Sequence, residues 1–283
     1  YLLSYGLDEY FGKQQYPDLN DFDGTWGIFD GPYLKYVNEK LGEQPSPWFT
    51  GVFTLSSHHP YSVPSSHQDL GEGTLPIHKA VRYTDEALRD FFTLAQKEAW
   101  FDSTVFIICA DHSSTNESAA YQTYTGKYEV PMLMYAPRLL SPSVDSSLVQ
   151  QIDLYTTVSQ LAGVPKVSSF GKSLLDTSDR EIYLFDGNIY TAVSDSFTLE
   201  WGGQGVPKLY AKADDQNKVN VRRKHPLVAE EMLKRLQVFI QKYTYRLVND
   251  DFDKVGSFEM RRSMFLITYF VDTLNQYINA SFL

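Results

Sequence analysis

Short unbroken apolar runs alternate along this chain with stretches in which apolar residues recur every three or four positions. Residues 48–55 ("WFTGVFTL") and 104–110 ("TVFIICA") read as buried strands, and each stops abruptly in polar residues. The first ends in Ser56-Ser57-His58-His59, the second in Asp111-His112-Ser113-Ser114. A third apolar run, "VPMLMYAP" at 130–137, reads as another buried strand stopped by Pro137. Between the first two strands, Ile77, Val81, Leu88, Phe91 and Ala95 fall on one face of a helix over 76–100. A short helix is predicted over 31–41. Another lies in "SLVQQIDLYTTVSQLAGVP", with Gly163 and Pro165 as its stop signals. Strands alternating with helices predict an α/β fold, a mostly parallel sheet flanked by helices.

After Ser178 the pattern changes. "EIYLFDGNIYTAVSDSFTLEW" and "PKLYAKAD" predict a small antiparallel meander with an Asp-Gly-Asn turn. A long helix follows over 226–248. Beyond a polar linker, Ile267, Phe270, Val271, Leu274, Tyr277 and Ile278 keep helical spacing, which predicts a C-terminal packing helix. The expected organisation is an α/β core over 1–177, the meander and long helix of the same domain over 178–249, and a linker with a helical tail over 250–283.

Composition narrows the function classes. Apolar residues make up 43% and charged residues 21% of the 283, ordinary for a globular protein. The net charge of −10 opposes nonspecific nucleic-acid binding, so an anionic substrate needs a local positive centre. Cys109, the one cysteine, sits inside an apolar run and reads as a small buried hydrophobe. No run of 18 apolar residues spans a membrane. The opening "YLLSYGLDEYFG" has no signal-peptide pattern and reads as the middle of a domain, so the chain is expected to be a fragment.

The two polar strand ends carry the candidate chemistry. Carboxyl ends of parallel strands are where ligands sit in open α/β sheets, and an Asp–His pair can ligate a divalent metal. Such a pair also fits a turn cap followed by a surface histidine. Asp8, Asp21 and Asp23 read as turn formers, and Ser113 and Ser114 as shaping the turn after the pair. From the residues alone Asp111 and His112 amount to half of a metal site, with no third ligand and no marked nucleophile.

The blocks "FTLSSHHPYS", "HKAVRYTDEALRDFF", "FDSTVFIICADHSS", "YEVPMLMYAP" and "QQIDLYTTVSQLAGV…FGKSLL" carry a resemblance. In order and spacing they resemble the lipoteichoic acid synthase-like, or phosphoglycerol transferase, branch of the alkaline phosphatase/sulfatase superfamily, over roughly residues 1–175. The resemblance implies a metal-dependent enzyme with Asp111 and His112 as metal ligands. The ion is most often manganese, with zinc, magnesium or calcium as alternatives. It implies that His58, with His59 second, binds the phosphoglycerol group. The acidic ligand, the nucleophilic threonine and the headgroup Trp/Arg positions lie upstream of Tyr1 in that family, as do the membrane helices. Ser113 stands where the family often has glycine.

The implied reaction transfers phosphoglycerol from a lipid-linked substrate through a covalent phospho-threonine, on the extracytoplasmic side of the cell membrane. The alternatives are a sulfatase or phosphatase that passes the group to water, and a non-catalytic binding remnant. The present chain alone is expected to be catalytically silent.

Overall fold

A computed structural model describes residues 7–115, 117–164, 169–214 and 216–249, and the backbone of 266–269. The chain divides into two compact units. One comprises Tyr1–Glu117, Tyr128–Ser141 and Arg262–Leu283; the other comprises Ser118–Lys127 and Pro142–Arg261. The second unit thus takes a short segment from within the first as well as the residues from 142 onward.

The first unit contains α1 (Asp30–Glu43), β1 (Thr50–Phe53), α2 (Ile77–Ala95), β2 (Phe106–Cys109) and β3 (Met132–Tyr135). Its two helices pack on each other. Gly31 lets them close, since a Cβ there would lie 2.9 Å from the Tyr83 hydroxyl. That hydroxyl instead accepts the Gly31 N–H at 3.0 Å. Leu34, Val37 and Leu41 of α1 meet Ala87, Phe91 and Ala95 of α2, Val52 of β1 and Phe106 of β2 in one buried cluster. Cys109 is fully buried, as its apolar setting predicts.

The sheet of this unit departs from expectation twice. Residues 266–269, predicted as part of a packing helix, form a strand that lies between β1 and β2 and runs parallel to both. A strand with neighbours on both sides need not alternate apolar and polar residues, so "LITY" within "MFLITYFV" carries no strand periodicity. The remainder of the predicted tail helix lies outside the described residues. The second departure is β3, which pairs antiparallel with β2 at the sheet edge. It is not fully buried either, since Leu133 is exposed. The sheet is still mostly parallel.

The second unit contains α2's successor α3 (Ile152–Leu161), the meander β4 (Ile182–Phe185), β5 (Tyr190–Val193), β6 (Phe197–Trp201) and β7 (Lys208–Ala211), and α4 (Pro226–Asn249). The late strand from the first unit is β8 (Leu266–Tyr269). The four meander strands pair antiparallel in sequence order. Leu199 and Leu209 bury their side chains against Ala229, Met232 and Leu236 of α4.

The block "FGKSLL" is fixed by α3. Asp153 accepts the Lys172 N–H at 2.8 Å and pairs with buried Arg180 at 3.1 Å, and Thr157 accepts the Leu174 N–H at 2.8 Å. Gly171 passes so close that a Cβ would lie 2.3 Å from the Ile152 carbonyl oxygen. No larger residue fits there without moving the backbone.

Candidate active site

The site is built where β1 and β2 end. Each runs parallel to β8, in matched register, so Phe53 and Cys109 stand level on one carboxyl rim. Two strand spacings, about 10 Å, separate them across the sheet.

At the end of β2, Ala110 is fully buried and the chain turns outward at Asp111. The His112 N–H donates to Asp111 Oδ1 at 2.9 Å, which folds the carboxylate back over the turn. His112 Nδ1 lies 2.8 Å from the Ser113 carbonyl oxygen. A carbonyl can only accept, so Nδ1 carries the proton and Nε2 is the basic nitrogen. That Nε2 lies 3.6 Å from Asp111 Oδ2. Two ligands each about 2.1 Å from one ion are separated by about 3.0–3.6 Å, so this pair has the spacing of adjacent metal ligands. A backbone acceptor on the far ring nitrogen is also the usual support of a ligating histidine. Among the described residues no third His, Cys, Asp or Glu joins them in a metal-binding group.

At the end of β1, the segment 54–61 is shaped by a residue to which sequence reasoning assigned no role. Asp30, in the first turn of α1, has a fully buried carboxylate. Its Oδ1 accepts the N–H groups of Leu55 at 2.8 Å and Ser56 at 3.1 Å, and its Oδ2 accepts the Thr84 hydroxyl at 2.6 Å. The Asp30 N–H donates to Ser56 Oγ at 3.0 Å. Burial pushes the Asp30 carboxyl above its ordinary 3.8, and the hydrogen bonds oppose that shift without cancelling it.

Downstream of this clamp, the His58 N–H donates to the Leu55 carbonyl at 3.0 Å, closing a turn at His58. Its Nδ1 lies 3.0 Å from the His59 carbonyl oxygen, and the Trp26 ring packs on its ring, tilted, at 3.8 Å between centroids. The imidazole of His59 points away to Tyr61 and is exposed, so of the two histidines His58 is the one held in place.

The structure thus brings Asp111 and His112 together after β2, while His58 follows the end of β1, two strands away on that rim. Asp23 acts as a turn former, whereas the Asp21 carboxylate is engaged by a side chain. Asp21 accepts the Tyr16 hydroxyl at 2.6 Å, and Asp23 Oδ1 accepts three successive backbone N–H groups from Thr25 to Gly27. A cavity of about 630 Å³ in the second unit is lined by Asp153, Arg180, Glu181 and Arg235, but these charges are already paired with one another.

The sulfatase family profile matches residues 4–164. Lipoteichoic acid synthase-like YvgJ of Bacillus subtilis (strain 168) is 25% identical over 195 residues, covering 61% of this chain and 32% of that protein. Phosphoglycerol transferase I of Salmonella arizonae is 22% identical over 254 residues, covering 84% of this chain and 33% of that protein. The chain spans about a third of the length of these relatives. Among solved structures, a protein in the alkaline phosphatase superfamily from Vibrio parahaemolyticus shares the fold. Its TM-score is 0.68 at 23% identity, over 84% of this chain and 59% of that one. With more than half its residues matched by the family profile, this chain belongs to the sulfatase family, with lipoteichoic acid synthases and phosphoglycerol transferases among its relatives.

Proposed function

We propose that this chain supplies the carboxy-terminal part of the catalytic domain of a divalent-metal-dependent enzyme that transfers a phosphoglycerol group. The observation that carries the proposal is the 3.6 Å approach of His112 Nε2 to Asp111 Oδ2 at the end of β2, whose carboxyl end is level with that of β1, the strand preceding His58. The nucleophile is proposed to be a threonine preceding residue 1 in the full-length protein. Membrane anchoring through segments outside this chain, with the catalytic domain on the extracytoplasmic face, belongs to the same proposal.

Asp111 and His112 would hold the ion, manganese by preference. When bound, it acts as a Lewis acid that favours the ionised nucleophile and offsets charge on the phosphoryl oxygens. The chain's own contribution is geometric. The Ser113 carbonyl fixes the His112 tautomer so that its lone pair faces Asp111. His58 presents Nε2, which accepts a hydroxyl proton when neutral and donates to a phosphoryl oxygen when protonated.

Release of the group to water, as in a sulfatase or phosphatase, is a second reading, favoured by the family profile itself being that of the sulfatases. A metal titration tests the proposal. Manganese binding, followed by its electron paramagnetic resonance signal, is expected to weaken at least tenfold in Asp111→Ala and His112→Ala. Unchanged binding in both would remove these residues from the metal site. The chain alone is expected to turn over neither a fluorescent phosphatidylglycerol analogue nor aryl phosphate or sulfate esters. The same chain joined to its upstream segment is expected to be active, and metal-dependent turnover by the chain alone would place a nucleophile within it.

A further inference from the structure

We infer that Trp26 is a positioning residue that fixes the tautomer and ring orientation of His58, an inference that rests on reading His58 as the phosphoryl-facing imidazole. The indole is delivered by a tight hairpin. Asp23 Oδ1 accepts the N–H groups of Thr25, Trp26 and Gly27 at 2.7, 2.8 and 3.1 Å. The Asp23 N–H closes on the Gly27 carbonyl at 2.8 Å, and Phe22 bridges to Ile28. Gly24 takes a φ of +88°, in the left-handed region that favours glycine. Gly27 lies so near Leu55 that a Cβ would come 2.5 Å from its side chain, which docks the hairpin against the segment leading to His58.

So anchored, the indole does two things at once. Its Nε1–H donates to the His59 carbonyl at 2.7 Å, while its ring lies 3.8 Å from the His58 ring at an interplanar angle of 44°. The same carbonyl receives His58 Nδ1 at 3.0 Å. One carbonyl oxygen with two lone pairs therefore ties both rings together. Because that oxygen cannot donate, the His58 proton sits on Nδ1 and Nε2 is the nitrogen offered to a ligand. Trp26 remains 50% exposed, so core packing does not account for the hydrogen bonds spent on holding it. Its contact with the imidazole does.

The test is a two-bond proton–nitrogen NMR spectrum of the histidine-labelled chain at a pH where His58 is neutral. The expected wild-type pattern is the Nδ1–H tautomer for His58. Trp26→Phe keeps an aromatic face but loses the bond to the carbonyl, and should give a mixture of tautomers. Trp26→Ala should give free exchange between them. Titration with glycerol phosphate, read on the His58 signals, should show about fivefold weaker binding in Trp26→Ala, with Trp26→Phe between, and unchanged circular dichroism throughout. A wild-type His58 carrying its proton on Nε2, or variants with the wild-type tautomer, would overturn the positioning role. If His58→Ala binds glycerol phosphate as the wild type does, the phosphate reading falls instead, while the tautomer spectra still decide the role of Trp26.

Discussion

Asp30 shows what a single buried carboxylate does for this site. It takes three hydrogen bonds, two from the backbone between β1 and His58, so the rim on that side is set by a residue of a different element. Asp30→Ala strands those buried donors, at about 1–3 kcal/mol for each one left unsatisfied. Denaturant unfolding is expected to show a loss of about 2–4 kcal/mol. Asp30→Asn keeps an oxygen for the two N–H groups and removes the ionisable proton. The native carboxyl is raised above its ordinary 3.8, so the folded chain binds this proton more tightly than the unfolded chain. Its contribution to stability is therefore fully present at acid pH and declines as pH rises through the native value. Asp30→Asn should flatten that decline, and an unaltered pH profile would show that the carboxyl does not titrate with folding.

At the scale of elements, the β4–β5 turn makes a complementary pH prediction. Asp186 accepts the N–H groups of Ile189 and Asn188 and the Tyr124 hydroxyl, and these bonds hold its carboxyl down at about 2. A depressed carboxyl contributes above its unfolded value near 4 and loses that contribution as pH falls toward 2. A carbon-13 titration should place its midpoint near 2; a midpoint near 3.8 would show that the turn bonds do not persist in solution. This meander was legible from sequence because its alternation and its Asp-Gly-Asn turn are local signals. So was α2, whose apolar face repeats over five turns. The orientation of β3 and the strand nature of 266–269 were not, because pairing partners are chosen by contacts far away in sequence. The site divides in the same way. Asp111-His112 stood out as a polar pair closing an apolar strand. Asp30 and Trp26 did not, since each acts across about 30 residues of chain on a partner that no spacing rule connects to it.

For the molecule as a whole, the charge of −10 sets a condition on any anionic substrate. Long-range attraction is absent, so a phosphate ester, the substrate class proposed above, would depend on the proposed metal centre. Glycerol phosphate binding by the chain is expected to weaken about tenfold or more when divalent ions are chelated, and to return with manganese. Calorimetric titration with and without chelator checks this. Binding that ignores the chelator would place the anion on protein cations alone.

The position of β8 bears on how the protein is made. Synthesis proceeds from the amino end, so β1 and β2 leave the ribosome long before the strand that lies between them. Until residue 269 emerges, two strands that flank a common neighbour have none to share. Such late, long-range closure is slow and leaves strand edges open in the interval. A nascent chain halted at residue 249 should therefore remain open to protease between β1 and β2, although every residue of the proposed site has already been translated. The segments that carry His58, Asp111 and His112 are made well before the strand that joins them into one sheet.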